Sequence, residues 1–66
     1  MEITLNGASR TIPEQTRARD LQQSLGLADK RLALEINREI VPRSSFEQHM
    51  IRPGDTVEFV HAIGGG

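Results

Sequence analysis

Histidine, cysteine, serine and paired carboxylates are the side chains that most often do chemistry. This sequence supplies few of them in usable spacing. There is no cysteine, which excludes a thiol nucleophile, a disulfide framework and a cysteine-ligated iron–sulfur cluster. The two histidines, His49 and His61, stand too far apart in a chain without cysteine to suggest a metal-ligand pattern. His49 sits in a polar stretch that reads as a solvated turn, and His61 near the end of an extended run. Ser44 and Ser45 have no His and Asp arranged around them, so a helix cap is the better account of them. Glu14 and Asp20, like Glu35 and Glu39, read as solvated surface acids before they read as acid/base pairs. No glycine-rich loop joins a strand to a helix, so no phosphate cradle is visible.

The remaining chemical group is the carboxylate of Gly66, at the end of "VEFVHAIGGG". Its ordinary pKa of roughly 3.3–3.7 leaves it ionised and nucleophilic at neutral pH. Gly64, Gly65 and Gly66 carry no side chains. Three extended residues reach about 10 Å, and glycine threads a channel in which a Cβ would clash. A frayed end is the plain alternative, because termini are commonly disordered. Against it, the tail follows Val57 and Phe59 with no polar spacer. The expected organisation is one domain over residues 1–63 and a flexible glycine tail over 64–66.

That domain must come from 66 residues of net charge -1, 36% of them hydrophobic. A chain this short buries only roughly 60% of the surface it exposes when unfolded. With no metal or disulfide staple expected, ordinary aliphatic packing must hold it. Charges of both signs are interspersed, and there is no Tyr or Trp, so nothing suggests a nucleic-acid footprint. No apolar stretch suits a signal peptide or a membrane span. A cytoplasmic protein with no membrane partner is expected.

The elements follow from periodicity. "MEITL" alternates like a half-buried strand. Asn6-Gly7 suits a type I′ hairpin turn, and "ASRTI" returns with Ile12 inward until Pro13 stops it. Ala18, Leu21 and Leu25 then form one helical stripe. The spacing predicts a helix over Thr16 to Leu25, with Thr16 as N-cap. Gly26 comes next as the left-handed residue after the helix, and Leu27 folds back onto Leu21. Leu32, Leu34 and Ile36 restore period two. "NRE" turns the chain into the short extended "IVP". Ser44 and Glu47 suggest a capping box on a single turn anchored by Phe46. Pro53 and Gly54 turn the chain again, and "TVEFVHAI" is the last strand, with Val57 and Phe59 on one side and Glu58 and Val60 on the other. The sum is an α+β roll: a mixed sheet of four to five strands on one main helix, its first and last strands parallel at the centre. One helix covers one sheet face and leaves the other for water or a partner.

This order, ending on a strand and Gly-Gly, resembles the ubiquitin-like β-grasp sulfur carriers. "LEINREIVPR" (Leu34 to Arg43) and "GDTVEFVHAIGGG" (Gly54 to Gly66) are similar to the ThiS-type carriers of thiamine biosynthesis. Gly-Gly alone is less specific, since ubiquitin and the small subunits of molybdopterin synthase share it. The resemblance implies a protein co-substrate and not an enzyme. A ThiF-like enzyme would adenylate Gly66 using ATP and Mg²⁺, with no cofactor bound to the carrier itself. Sulfur from a cysteine desulfurase or another source would make a thiocarboxylate. Thiazole synthase, a ThiG-like partner, would accept that sulfur. Beside the resemblance, alternation points to Val60 and Ala62 as the partner face, with Ala33 and Glu35 on the neighbouring strand, and His61 and Ile63 beside them complete the expected partner interface. A carrier for a molybdopterin-type pathway, a ubiquitin-like modifier of other proteins, and an interaction module with an inert tail are the alternatives.

Overall fold

In the computed structural model, residues 1–27 and 30–61 are described. Six elements and one short 3-10 turn succeed one another along the chain. They are β1 (Glu2–Leu5), β2 (Ala8–Thr11), α1 (Ala18–Ser24), β3 (Leu32–Ile36), β4 (Glu39–Val41), the 3-10 turn Arg43–Ser45, and β5 (Thr56–His61). The strands form one five-stranded sheet in the order β2-β1-β5-β3-β4. β5 therefore lies at the centre, parallel to β1 and antiparallel to β3. The parallel central pair is the one expected from the order of elements.

Alternation along each strand builds the core. Ile3, Leu5, Leu34, Ile36, Val57 and Phe59 are all buried on one face of the sheet. Ala18 and Leu21 of α1, with Ile12, Val41, Phe46 and Ile51, close over that face. Phe46 is 5% exposed, so it anchors its turn as its sequence context suggests. Glu35, Glu58 and Val60 on the opposite face are only half-buried, because no second layer covers them.

The helix is shorter than its apolar stripe. It spans seven residues, and Arg17, not Thr16, is the N-cap. The Thr16 hydroxyl instead donates to the Pro13 carbonyl (2.6 Å). No local hydroxyl cap is needed, because the segment after β4 serves the free N–H groups of the first turn. The Ala18 N–H donates to the His49 carbonyl (2.9 Å) and the Arg19 N–H to the Phe46 carbonyl (3.1 Å). Asp20 accepts from the Arg17 N–H (3.0 Å). The other end is as expected. Gly26 has φ +72, its N–H donates to Gln23 and the Leu27 N–H to Gln22. That pair of bonds is a Schellman closure, and Leu27 packs against the core.

The Ser44–Glu47 box does not form. Pro42 precedes the 3-10 turn without a side-chain cap, and Glu47 pairs with Arg19. The Glu47 carboxylate is drawn across to α1, where it meets a full charge and not a backbone dipole.

Two asparagines extend the sheet where its ladders run out. Both have positive φ, 49° at Asn6 and 53° at Asn37, in the two-residue turns after β1 and β3. The Asn6 N–H donates to Val57, and its side-chain oxygen accepts from the Phe59 N–H (2.9 Å). Asn37 does the same at the start of β5. Its N–H donates to the Thr56 carbonyl (2.8 Å) and its side-chain oxygen accepts from the Thr56 N–H (3.0 Å). The central strand is thus held at both ends by side chains that imitate main chain.

Candidate functional site

The site expected from the sequence is the last strand and the glycine tail beyond it. Gly64, Gly65 and Gly66, with Ala62 and Ile63, lie outside the described residues. The division into a domain over 1–63 and a tail over 64–66 falls partly there too. The described residues define the place from which this segment departs. β5 is the central strand, and its end at His61 pairs with Leu32, the first residue of β3. The strand is held by β3 as far as His61 and on the β1 side as far as Phe59, so the departure point is fixed by core packing through Phe59 and by the Asn6 side chain.

Val60 sits half-buried on the face that α1 leaves bare. It stands opposite Ala33, and Glu58 stands opposite Glu35. These four residues share a face, as alternation requires. His61 is exposed and belongs by alternation to the other face, beyond the end of the core. Val60 and His61 are therefore adjacent in sequence but do not form one continuous patch. Ile40 joins Val60 from β4. It pairs with Glu35 and is 70% exposed, the most exposed large apolar residue among those described. Reading "IVP" as an extended piece does not single it out. Ile40 and Val41 are both apolar, and only the burial of Val41 shows which of them faces out.

The bare face is thus a strip of Ile40, Ala33 and Val60 edged by Glu35 and Glu58. Like charges directly opposite each other on a sheet are mildly unfavourable, and here they are partly relieved by water. Around the end of β5 the charge changes sign. Lys30 and Arg31 immediately precede β3, and the Arg43 guanidinium donates to the Lys30 carbonyl (3.0 Å), so three cations gather near the residue that faces His61. His49 lies elsewhere. It is half-buried, and its main chain supports the start of α1. Among the described residues, no group of three or more His, Asp or Glu is placed to hold a metal ion. No described helix is long and apolar enough to cross a membrane.

A mixed five-stranded sheet with parallel central strands, wrapped on one face by a single helix, defines a ubiquitin-like β-grasp protein. Comparison with solved structures agrees. A crystal structure of a thiamine biosynthesis protein, ThiS, from Geobacter metallireducens matches with a TM-score of 0.89 at 32% identity, over 100% of both chains. A solution structure of a thiamine biosynthesis protein from that organism matches with a TM-score of 0.79, over 100% of this chain and 88% of the other. The ThiS family model matches residues 3–66, and the chain belongs to that family. The sulfur carrier protein ThiS of Escherichia coli is 30% identical over 100% of both chains. Thiazole synthases of Paramagnetospirillum magneticum and Magnetococcus marinus are 38% and 35% identical to this chain over 66 residues, its whole length. The chain spans only 20% of the length of each of these two.

Proposed function

We propose that this protein is the sulfur carrier for thiazole formation in thiamine biosynthesis, and that Gly66 is where the sulfur is held. The observation that carries this reading is the full-length likeness: the family model spans 3–66, and a protein named as a sulfur carrier aligns end to end. The chemistry needs a free carboxylate on Gly66. That carboxylate attacks the α-phosphorus of ATP in a partner enzyme, forming an acyl adenylate and releasing pyrophosphate. Hydrosulfide then displaces AMP to give the thiocarboxylate directly; where the sulfur arrives as a persulfide, AMP leaves to give an acyl disulfide, and a thiol reductant cleaves its S–S bond to release the thiocarboxylate. ATP and Mg²⁺ belong to the partner, and the carrier supplies no catalytic side chain. Glycine at the reacting end suits this, since it can enter enclosed sites that exclude the water that would hydrolyse the adenylate.

A ThiF-like activating enzyme, a desulfurase-derived sulfur source and thiazole synthase are the partners this role requires. The thiazole synthase assignment is supported by the two relatives of that name, which contain a stretch similar to the whole of this chain. The face of Ile40, Ala33 and Val60 is the surface by which the enzymes would grip the domain, since its apolar strip is left uncovered by α1. A cytoplasmic setting fits where ATP and reduced sulfur donors are available.

The test is an intact-mass measurement after incubation with the activating enzyme, Mg²⁺-ATP and a sulfur source. The expected product is heavier by the difference between one sulfur and one oxygen, with the change mapping to Gly66. Absence of that product under conditions that activate the Escherichia coli homologue rules the proposal out. A chain lacking Gly66 is expected to give no product and to melt at the same temperature, because no core residue is removed.

A further inference from the structure

The hydrogen-bond ladder on the β1 side of β5 stops before the strand does. Main-chain groups alternate in direction along a strand. The Asp55 carbonyl accepts from Thr4, and the Val57 carbonyl accepts from Asn6. The Phe59 N–H meets the Asn6 side chain. These odd-numbered residues thus face β1, whereas Thr56 bonds to Asn37 on the β3 side. The next groups on the β1 side are the Phe59 carbonyl and the N–H and carbonyl of His61. The β1 register ends at Leu5 opposite Val57, and the chain turns away at Gly7 into β2. Among the described residues, β5 has no strand beside it on the β1 side over Phe59 to His61, so a central strand becomes an edge strand there.

We propose that the enzyme which receives the tail places an extended segment against this edge, pairing with the Phe59 carbonyl and the main chain of His61. This rests on the reading that the carrier is activated by a partner enzyme. Added strands take affinity from main-chain hydrogen bonds, so the contact is indifferent to side chains at position 61. It also orients the tail, since pairing at His61 sets the direction in which residues 62–66 enter the partner. A second copy of this chain is the competing occupant. Two or three main-chain bonds do not by themselves hold a dimer. They serve best where the rest of an interface lies elsewhere, and the bare sheet face is the surface proposed for it.

Proline separates main chain from side chain at this position. His61→Pro removes the N–H, and an N–H that points to an open edge is one the fold does not use. His61→Ala keeps it. The measurement is KM for the carrier in ATP–pyrophosphate exchange by the activating enzyme, alongside the thermal midpoint. The expected result is about a tenfold rise in KM for His61→Pro, a clearly smaller change for His61→Ala, which keeps the N–H, and unchanged midpoints for both. In the wild-type protein, exchange of the His61 amide should slow when the enzyme is bound. Equal KM values for the two variants in folded protein overturn the proposal. So does an amide that exchanges as fast in the complex as alone, a readout that stands if His61→Pro disturbs the fold. Protection that appears in the isolated carrier and grows with its concentration assigns the edge to a second copy and overturns it too. Failure of the wild-type carrier to acquire sulfur counts against the function. It leaves the edge to be judged by the amide in the enzyme complex.

Discussion

Asn6 and Asn37 each meet two demands that few residues meet together. Each holds a positive φ, which costs most side chains roughly 1–2 kcal/mol. Each also offers a side-chain oxygen to a β5 N–H. Replacing one by glycine keeps the turn and loses the hydrogen bond, whereas alanine loses both. Asn6→Gly is expected to lower stability by about 1 kcal/mol and Asn6→Ala by about 2–3 kcal/mol, measured by urea denaturation. If the two cost the same, the positive φ at Asn6 contributes nothing, and if Asn6→Gly costs nothing, the side-chain bond to Phe59 contributes nothing. Arg38 has the same backbone problem without the compensation. Its φ is 69°, it is exposed, and it is the second residue of a turn that would suit Asn-Gly. Arg38→Gly should therefore stabilise the domain, by about 0.5 kcal/mol once the greater freedom of glycine in the unfolded chain is subtracted.

The elements differ in how far their own residues encode them. At the end of α1 the signal is local. Gly26 at φ +72 has open space where a Cβ would stand, so Gly26→Ala is expected to cost about 1 kcal/mol through backbone strain alone. A midpoint shift much larger than that would mean a packing clash that the geometry lacks. The β1–β2 hairpin is legible for the same reason, since Asn6-Gly7 encodes its own turn. The start of α1 is not. Thr16 looks like a cap in isolation, but carbonyls of Phe46 and His49, some thirty residues on, satisfy the N–H groups it would have taken. Position 38 is opaque because arginine gives no sign of positive φ. The Asn6–Phe59 bond joins residues 53 apart, and no local pattern encodes it. The β-grasp order and the last strand's inner face are legible because periods of 2.0 and 3.6 report burial directly. On the bare face, Val60 can be read from alternation, which sets His61 on the other face, whereas Ile40 lies in a strand of three residues, too short to show a period.

At the scale of the molecule, one sheet with one helix would, in the proposed carrier, separate stability from recognition. The inner face holds the fold. A domain of 66 residues has a total stability of roughly 3–10 kcal/mol. Leu34, fully buried on β3, is expected to cost about 2–5 kcal/mol when truncated to alanine, enough to leave much of the protein unfolded at physiological temperature. The outer face carries no such burden. Ile40 is 70% exposed, and a polar residue there removes little buried area, so Ile40→Glu should change stability by less than about 0.5 kcal/mol. Its effect belongs to association. The new carboxylate would stand beside Glu35, and beyond it Glu58, on a strip that an apolar partner surface must dehydrate. A rise of about tenfold in KM for the activating enzyme is expected, with kcat and thermal midpoint unchanged. The pair of variants makes the separation testable in one experiment. Leu34→Ala should lose activity in proportion to its folded fraction, and Ile40→Glu should lose it while fully folded. If Ile40→Glu is activated like wild type, the grip on the domain lies elsewhere, and the tail with its root must carry recognition.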